Sequence, residues 1–267
     1  MEFLKIVKRR SFLNEVIYIG LNIALAFGLM IIIRTTNSFL LAFGLVLLSR
    51  WRVLAVRFRY WFANIQGDLV SLIISISFVV FLYNLNIAGL DYAKTLIIQI
   101  LLTIAYIAWL IFLRPQSKRK YIVAQAGLAL FMGVTTIYSV GYDWPAVLVV
   151  SLVWLVGYAA ARHVLNDYDE ESHYLLLSLS WGLILAEIGW LAYHWTIAYK
   201  LPIFSNILLP QVSIIAVCFG FLSYKTYTSY FHYQKVRMAD IILPLIFTLS
   251  IIAVLVLAFN GVGIGTV

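Results

Sequence analysis

The stretch Thr95-Leu96-Ile97-Ile98-Gln99-Ile100-Leu101-Leu102-Thr103-Ile104-Ala105-Tyr106-Ile107-Ala108-Trp109-Leu110-Ile111-Phe112-Leu113 holds no charged residue over 19 positions and is closed by Arg114 and Pro115. A helix needs about 20 consecutive apolar residues to cross the hydrocarbon core of a bilayer. It is also one of the few structures that satisfies every backbone polar group without water. Residues 92–113 therefore read as a transmembrane helix. Outward from it, eight further apolar stretches cover nearly the whole chain, at about 12–33, 37–50, 68–87, 121–140, 144–161, 173–195, 203–224 and 240–260. The predicted fold class is all-α: a polytopic integral membrane helix bundle of about nine transmembrane helices, one domain over residues 1–267.

The composition agrees. Apolar residues make up 64% of the chain and charged ones 11%, against roughly a quarter charged in a soluble domain. With a mean hydropathy of +0.98, a water-soluble core of this size is excluded. The single cysteine, Cys218, rules out an internal disulfide or a thiolate cluster for zinc or iron–sulfur. It lies in an apolar run and reads as a small buried hydrophobe.

The net charge of +8 would suggest nucleic acid in a soluble protein, but here the cations sort by side. Lys5, Lys8, Arg9 and Arg10 precede the first span; Arg50, Arg52, Arg57 and Arg59 follow the second; Arg114, Lys118, Arg119 and Lys120 follow the fourth. Arg162 follows the sixth, and Lys225, Lys235 and Arg237 the eighth. Those 16 fall on one side, and only Arg34, Lys94 and Lys200 on the other. Short loops rich in Lys and Arg stay cytoplasmic, so the N-terminus is expected in the cytoplasm and the Gly-rich tail (Gly261, Gly263, Gly265) outside. A basic start before an apolar run resembles a secretory signal, and Ala24-Leu25-Ala26 has the small-x-small form of a cleavage site. The run continues to Ile33, long enough to span, so it reads as a retained anchor. The expected location is a plasma membrane or bacterial inner membrane.

Helix packing in lipid depends on small residues four apart. The triplets Gly20, Ala24, Gly28 and Ser178, Gly182, Ala186 are expected to place spans one and seven in the bundle interior. Pairs occur at Ala129/Gly133, Gly157/Ala161 and Ala216/Gly220. Gly89-Leu90-Asp91-Tyr92 and Gly141-Tyr142-Asp143-Trp144 are alike, and Tyr106 and Tyr158 keep their offset of 52, a hint of a duplicated hairpin.

Eleven acids can be sorted singly. Asp68, Asp91, Asp143 and Asp240 stand at predicted span starts, where a carboxylate accepts from first-turn amides and faces the positive end of the helix dipole. Glu15 lies near the cytoplasmic cations. Glu187 differs, because it sits in Leu183-Ile184-Leu185-Ala186-Glu187-Ile188-Gly189-Trp190, far from either helix end. A carboxylate in hydrocarbon is costly, so it is expected to face the interior, bind a partner or stay protonated. Ser180 and His194, seven residues to either side, share its helical face. Together Glu187, His194 and Ser180 form a candidate ion or proton site, or a polar fastening between helices, with Asn22, Gln99, Gln125 and Gln211 as potential partners. Pro210-Gln211 within span eight is expected to kink a helix, as membrane prolines commonly do, or to open an ion site.

The segment from Arg50 to Phe62 joins Arg50, Arg52, Arg57 and Arg59 to five aromatics. Its arginines are expected to meet anionic lipid phosphates at the cytoplasmic face or, in a sharper reading, the phosphate of a substrate. The acidic cluster His163, Asp167, Asp169, Glu170, Glu171 and His173 offers oxygen and imidazole donors, with Asp167, Asp169, Glu170 and His173 as candidate metal ligands. In this cluster Asn166-Asp167-Tyr168-Asp169 resembles one aspartate-rich loop of UbiA-type prenyltransferases. That resemblance implies diphosphate bound through magnesium. The loop after span two, where such enzymes carry their first acidic motif, holds arginines and no acid before Asp68, and the likeness stops at these few residues.

No Walker loop, His-Glu-x-x-His, Gly-x-Ser-x-Gly or dinucleotide fingerprint occurs, and no cofactor is expected. Two functional expectations follow. The first is a membrane protein that passes a small solute or ion, with Glu187 as its buried charged group, or serves as a subunit of a larger assembly. The second is a membrane enzyme acting on a phosphorylated lipid through loop 163–173 and segment 50–59. Expected partners are the bilayer and its anionic lipids, a second copy or other membrane subunits, and no nucleic acid.

Overall fold

The computed structural model describes residues 2–51, 61–141, 143–168, 172–195, 198–201 and 204–258, and the side chains of most of these from residue 16 onward. Nine α-helices lie among them: α1 (Glu2–Thr36), α2 (Phe39–Ser49), α3 (Trp61–Ile87), α4 (Tyr92–Ala108), α5 (Arg119–Val140), α6 (Ala146–Leu165), α7 (Tyr174–His194), α8 (Gln211–Tyr233) and α9 (Met238–Ala258). Seven of them are long and apolar enough to cross a membrane, which makes the chain a multi-pass helical membrane protein by length and composition. These seven match the expected spans one, three to seven and nine.

Spans two and eight differ. Helix α2 has 11 residues, about 16 Å at 1.5 Å per residue, roughly half of a bilayer core. Its N-cap Ser38 accepts from the Leu41 amide at 3.4 Å. Span eight does not begin at residue 203. A two-stranded antiparallel hairpin occupies that segment, β1 (Ala198–Leu201) and β2 (Phe204–Pro210), with Ala198 opposite Pro210 and a register shift between Lys200 and Leu201. Pro210 is thus not a kink inside a helix. It ends β2 in extended backbone (φ −65°, ψ 132°) and stands as N-cap to α8, where its missing N–H costs nothing because first-turn amides lack helical partners anyway.

The chain forms two compact units, residues 1–64 with 78–121, and residues 65–77 with 122–267. In the first, Asn86 on α3 donates to the Ile33 carbonyl at 3.4 Å and to Asn37 Oδ1 at 3.1 Å. The C-terminal ends of α1 and α3 therefore lie side by side. Arg34 donates to Gln99 Oε1 at 3.0 Å, and fully buried Gln99 donates to the Leu82 carbonyl. Phe78 stacks on Tyr106 with centroids 4.1 Å apart. After α4 the chain widens into a single π-helical turn, Trp109–Leu113, with the Arg114 amide bonded to the Trp109 carbonyl at 2.9 Å.

The small-residue face of span one is not the buried one. Gly20 and Ala24 are exposed, and Asn22, Ala26, Leu29, Met30 and Ile33 are buried in their place. Larger apolar side chains cover more neighbouring surface there, and of the triplet only Gly28 is half-buried, beside Leu45 of α2.

In the second unit the corresponding triplet does pack. Ser178, Gly182 and Ala186 are buried, and α7 approaches α6 so closely that a Cβ on Gly157 would meet Leu185 Cδ1 at 2.7 Å and Gly182 Cα at 3.3 Å. A Cβ on Gly182 would meet the Trp154 backbone oxygen at 3.1 Å. Tyr138 donates to the Gly189 carbonyl and Thr135 to Ser213 at 2.9 Å. Both bonds satisfy polar groups within spans, where an unpaired group is expensive. Helices α8 and α9 run antiparallel, tied by Ser229 to Asp240 Oδ2 at 2.9 Å and by Thr248 to the Cys218 carbonyl at 3.4 Å.

Candidate functional site

Of the four aspartates expected at span starts, one behaves as drawn. Asp240 lies in the first turn of α9, facing the positive dipole end, and accepts from Ser229. Asp91 stands at the N-cap of α4 without a side-chain cap bond and pairs with exposed Lys94 at 3.1 Å. Asp143 is exposed two residues before the Pro145 cap of α6. Asp68 lies inside α3, whose first described turn begins at Trp61. Tyr106 stacks on Phe78, whereas Tyr158 stacks on Trp154 and accepts from Arg162 at 2.6 Å, so these two matched positions have unlike surroundings.

Among the arginines, Arg52, Arg57 and Arg59 fall outside the described residues. Arg50 caps the end of α2 with its backbone N–H on the Leu47 carbonyl at 3.0 Å, and the residue is 8% exposed. In the acidic loop, Asp169, Glu170 and Glu171 are outside the described residues. Asp167 and His173 are described, and His163 sits in the last turn of α6 with a buried Nε2 that has no partner among the described residues. No group of three or more His, Cys, Asp or Glu side chains placed to hold a metal ion occurs among the described residues.

Glu187 is where the structure departs most from expectation. Of the three expectations for this carboxylate (facing the interior, binding a partner or staying protonated), the first does not hold within the chain: Glu187, Ser180 and His194 are all exposed, on the side of α7 opposite buried Ser178. The close approach of α6 through Gly157 and Gly182 sets the rotation of α7, and that rotation turns Glu187 outward. Among the described residues Glu187 has no hydrogen bond or ion pair. Gln99, one expected partner, is taken by Arg34.

The outward face has an order of its own. Leu176, Ser180, Leu183, Glu187, Trp190 and His194 follow spacings of four, three, four, three and four, the seam of a heptad repeat. Leu176, Leu183 and Trp190 are 63%, 57% and 52% exposed. The polar residues Ser180, Glu187 and His194 alternate with them. The His194 ring is held edge-on by Trp190 at 4.8 Å and Tyr193 at 5.3 Å. Helix α7 has 21 residues, about 31 Å long, so Glu187 stands about 20 Å from its start and 10 Å from its end, inside the hydrocarbon zone.

The seam as a whole is not marked in the sequence, although Ser180, Glu187 and His194 share one helical face there. Its signal was the intervening Leu176, Leu183 and Trp190, which periodicity alone gives no reason to place outside.

No family model matches the sequence, and no similar protein was found among curated proteins or solved structures. The functional argument therefore rests on this face and its chemistry.

Proposed function

We propose that the protein is a multi-pass subunit of a plasma or bacterial inner membrane that associates with a second copy of itself through the outer face of α7. The observation that carries this is Glu187, a carboxyl group exposed on an apolar helix face and without a hydrogen bond or ion pair among the described residues. A charged side chain at the centre of a lone lipid-facing helix costs about 2.5–3.5 kcal/mol on insertion scales. A contacting helix that hydrogen-bonds the carboxyl removes much of that cost.

The face suits a second copy because every polar group on it is self-complementary. A hydroxyl, a protonated carboxyl and a neutral imidazole each donate and accept. Two α7 helices related by a two-fold axis normal to the membrane would set Ser180, Glu187 and His194 each against its own counterpart, as an isologous interface requires. Leu176, Leu183 and Trp190 would fill the layers between. A polar residue at alternate seam layers also fixes register, at some expense in stability.

The passage reading draws less support. Successive polar residues lie seven apart, about 10 Å along the axis, several times a hydrogen-bond length. A proton would need ordered water between them.

The proposed topology keeps nine crossings, with residue 10 cytoplasmic and residue 258 on the far side. The side-by-side C-terminal ends of α1 and α3 support one further crossing between these two helices. The antiparallel pairing of α8 with α9 supports an eighth and a ninth crossing.

A direct test is to label the chain with one fluorophore per copy, reconstitute it into liposomes at low density, and count bleaching steps per vesicle. Pairing predicts an excess of two-step traces over random co-occupancy. A distribution no different from that of a monomeric membrane protein reconstituted alike would remove the proposal.

A further inference from the structure

The second unit contains a partly open cavity of about 300 Å3 between α5, α6, α7 and α8. This volume is at the lower end of the range for small-ligand sites. Its walls include small residues that leave space unfilled, among them Gly127, Ala160, Ala161 and Gly220, together with the large apolar faces of Leu130 and Trp181. At Gly127 an added Cβ would meet nothing within 4 Å. The polar side chains of the lining, Ser223, Tyr224 and Tyr227, all come from one end of the cavity, on the last turns of α8.

Along α8 the lining runs from Val217 to Tyr227, about 15 Å at 1.5 Å per residue. That is half of a roughly 30 Å core, the depth of one leaflet. The polar end is closed by a fixed aromatic stop. Tyr168, 3% exposed, meets the Tyr227 ring edge-on at 4.9 Å and the Phe231 ring at 4.7 Å, and its hydroxyl bonds to Thr228 Oγ1 at 3.1 Å. Beside this end lies a cation. The exposed Lys225 ammonium stands 5.8 Å from the ring centroid of Phe221, a lining residue. Among the described residues no carboxylate pairs with Lys225.

We propose that this cleft holds one hydrocarbon chain of an amphiphile drawn from the leaflet on the Lys225 side, with the amphiphile's anionic headgroup at Lys225. Apolar walls select a chain over a polar solute, and the one-leaflet depth matches an acyl or isoprenoid tail. The Tyr168–Tyr227 stop keeps the headgroup from sliding past the helix end. The Lys225 ammonium, which makes no ion pair among the described residues and lines a neighbouring cavity with Asp240, supplies complementary charge. On α7 the site is lined by Leu177 and Trp181, about 100° round the helix from seam residues Leu176 and Ser180, so it uses none of the seam residues.

The protein in nanodiscs, with a trace of phosphatidylglycerol or phosphatidylcholine bearing a diazirine in one acyl chain, is irradiated and the labelled peptides are mapped. Label is expected on the segments Val123–Leu130 and Val217–Tyr227. Gly127→Leu, which occupies the cleft, should cut that label by about tenfold, and Ala161→Phe is a second filling variant should the first misfold. Phosphatidylglycerol should label more than phosphatidylcholine by about fivefold, as one cation near an anionic group gives, and Lys225→Gln should erase the difference. Label confined to outward residues such as Leu243 and Leu257, or label that survives both fillings, would overturn the site. Equal labelling by the two lipids would overturn the headgroup assignment.

Discussion

Valine at position 157 is expected to lower the thermal midpoint of the purified protein by more than any surface substitution. The first added carbon would stand 2.7 Å from Leu185 Cδ1, 3.0 Å from Leu185 Cβ and 3.3 Å from Gly182 Cα. Leu185 is fully buried, and Gly182 is itself pressed against Trp154. No wall of this contact can retreat without moving a helix. Overpacking of such sites costs about 1–3 kcal/mol, and the two branches of valine should bring the loss to the upper end. Leu185→Ala in the same chain should recover part of it by vacating the clash. Gly20→Ala makes the contrast, since Gly20 belongs to a similar small-residue triplet yet has open space around it, and should change the stability by no more than about 0.5 kcal/mol. Equal tolerance of Gly157→Val and Gly20→Ala would mean that α6 and α7 are not packed as described.

Leucine at position 187 is expected to do the reverse, sparing the fold and weakening the pair. Glu187 makes no described contact inside the chain, so its loss removes only the cost of an exposed carboxyl, and the thermal midpoint should hold or rise. Association should weaken by about tenfold, as loss of an interhelical hydrogen bond of about 1–2 kcal/mol implies. Glu187→Gln should keep most of the association, because an amide also donates and accepts. Energy transfer between labelled copies, measured as lipid is added to dilute them, gives the dissociation constant of each variant. A lowered midpoint with unchanged association would return Glu187 to a fastening role within one chain.

Much of the architecture was legible because lipid imposes it. Apolar length located seven of the nine helices, and the Ser178–Gly182–Ala186 face of α7 is buried as its spacing implied. What failed were choices between competing partners. Small residues permit close approach but do not compel it, so Gly20 and Ala24 lie exposed whereas Leu29 and Ile33 are buried. Pro210 was read against a helical background, and only the preceding β-hairpin shows that it opens α8 rather than bends it. Glu187, Ser180 and His194 were correctly grouped on one face, because a seven-residue spacing fixes that. Their direction was not legible. It depends on where Gly157 lets α6 seat against α7, a contact between distant positions that no local pattern encodes.

The central claim, that two copies meet along the outer face of α7, is tested most directly by a single cysteine at Leu183 in a chain whose native cysteine is replaced by Cys218→Ser. Position 183 lies on the seam one turn before Glu187 and is 57% exposed, so in a two-fold pair it faces its own counterpart. Oxidation in native membranes should give a disulfide-linked species of twice the chain mass. The same treatment of Leu243→Cys, 76% exposed on α9, should give little. A link that forms as readily from Leu243→Cys as from Leu183→Cys, or from neither, would contradict the pairing.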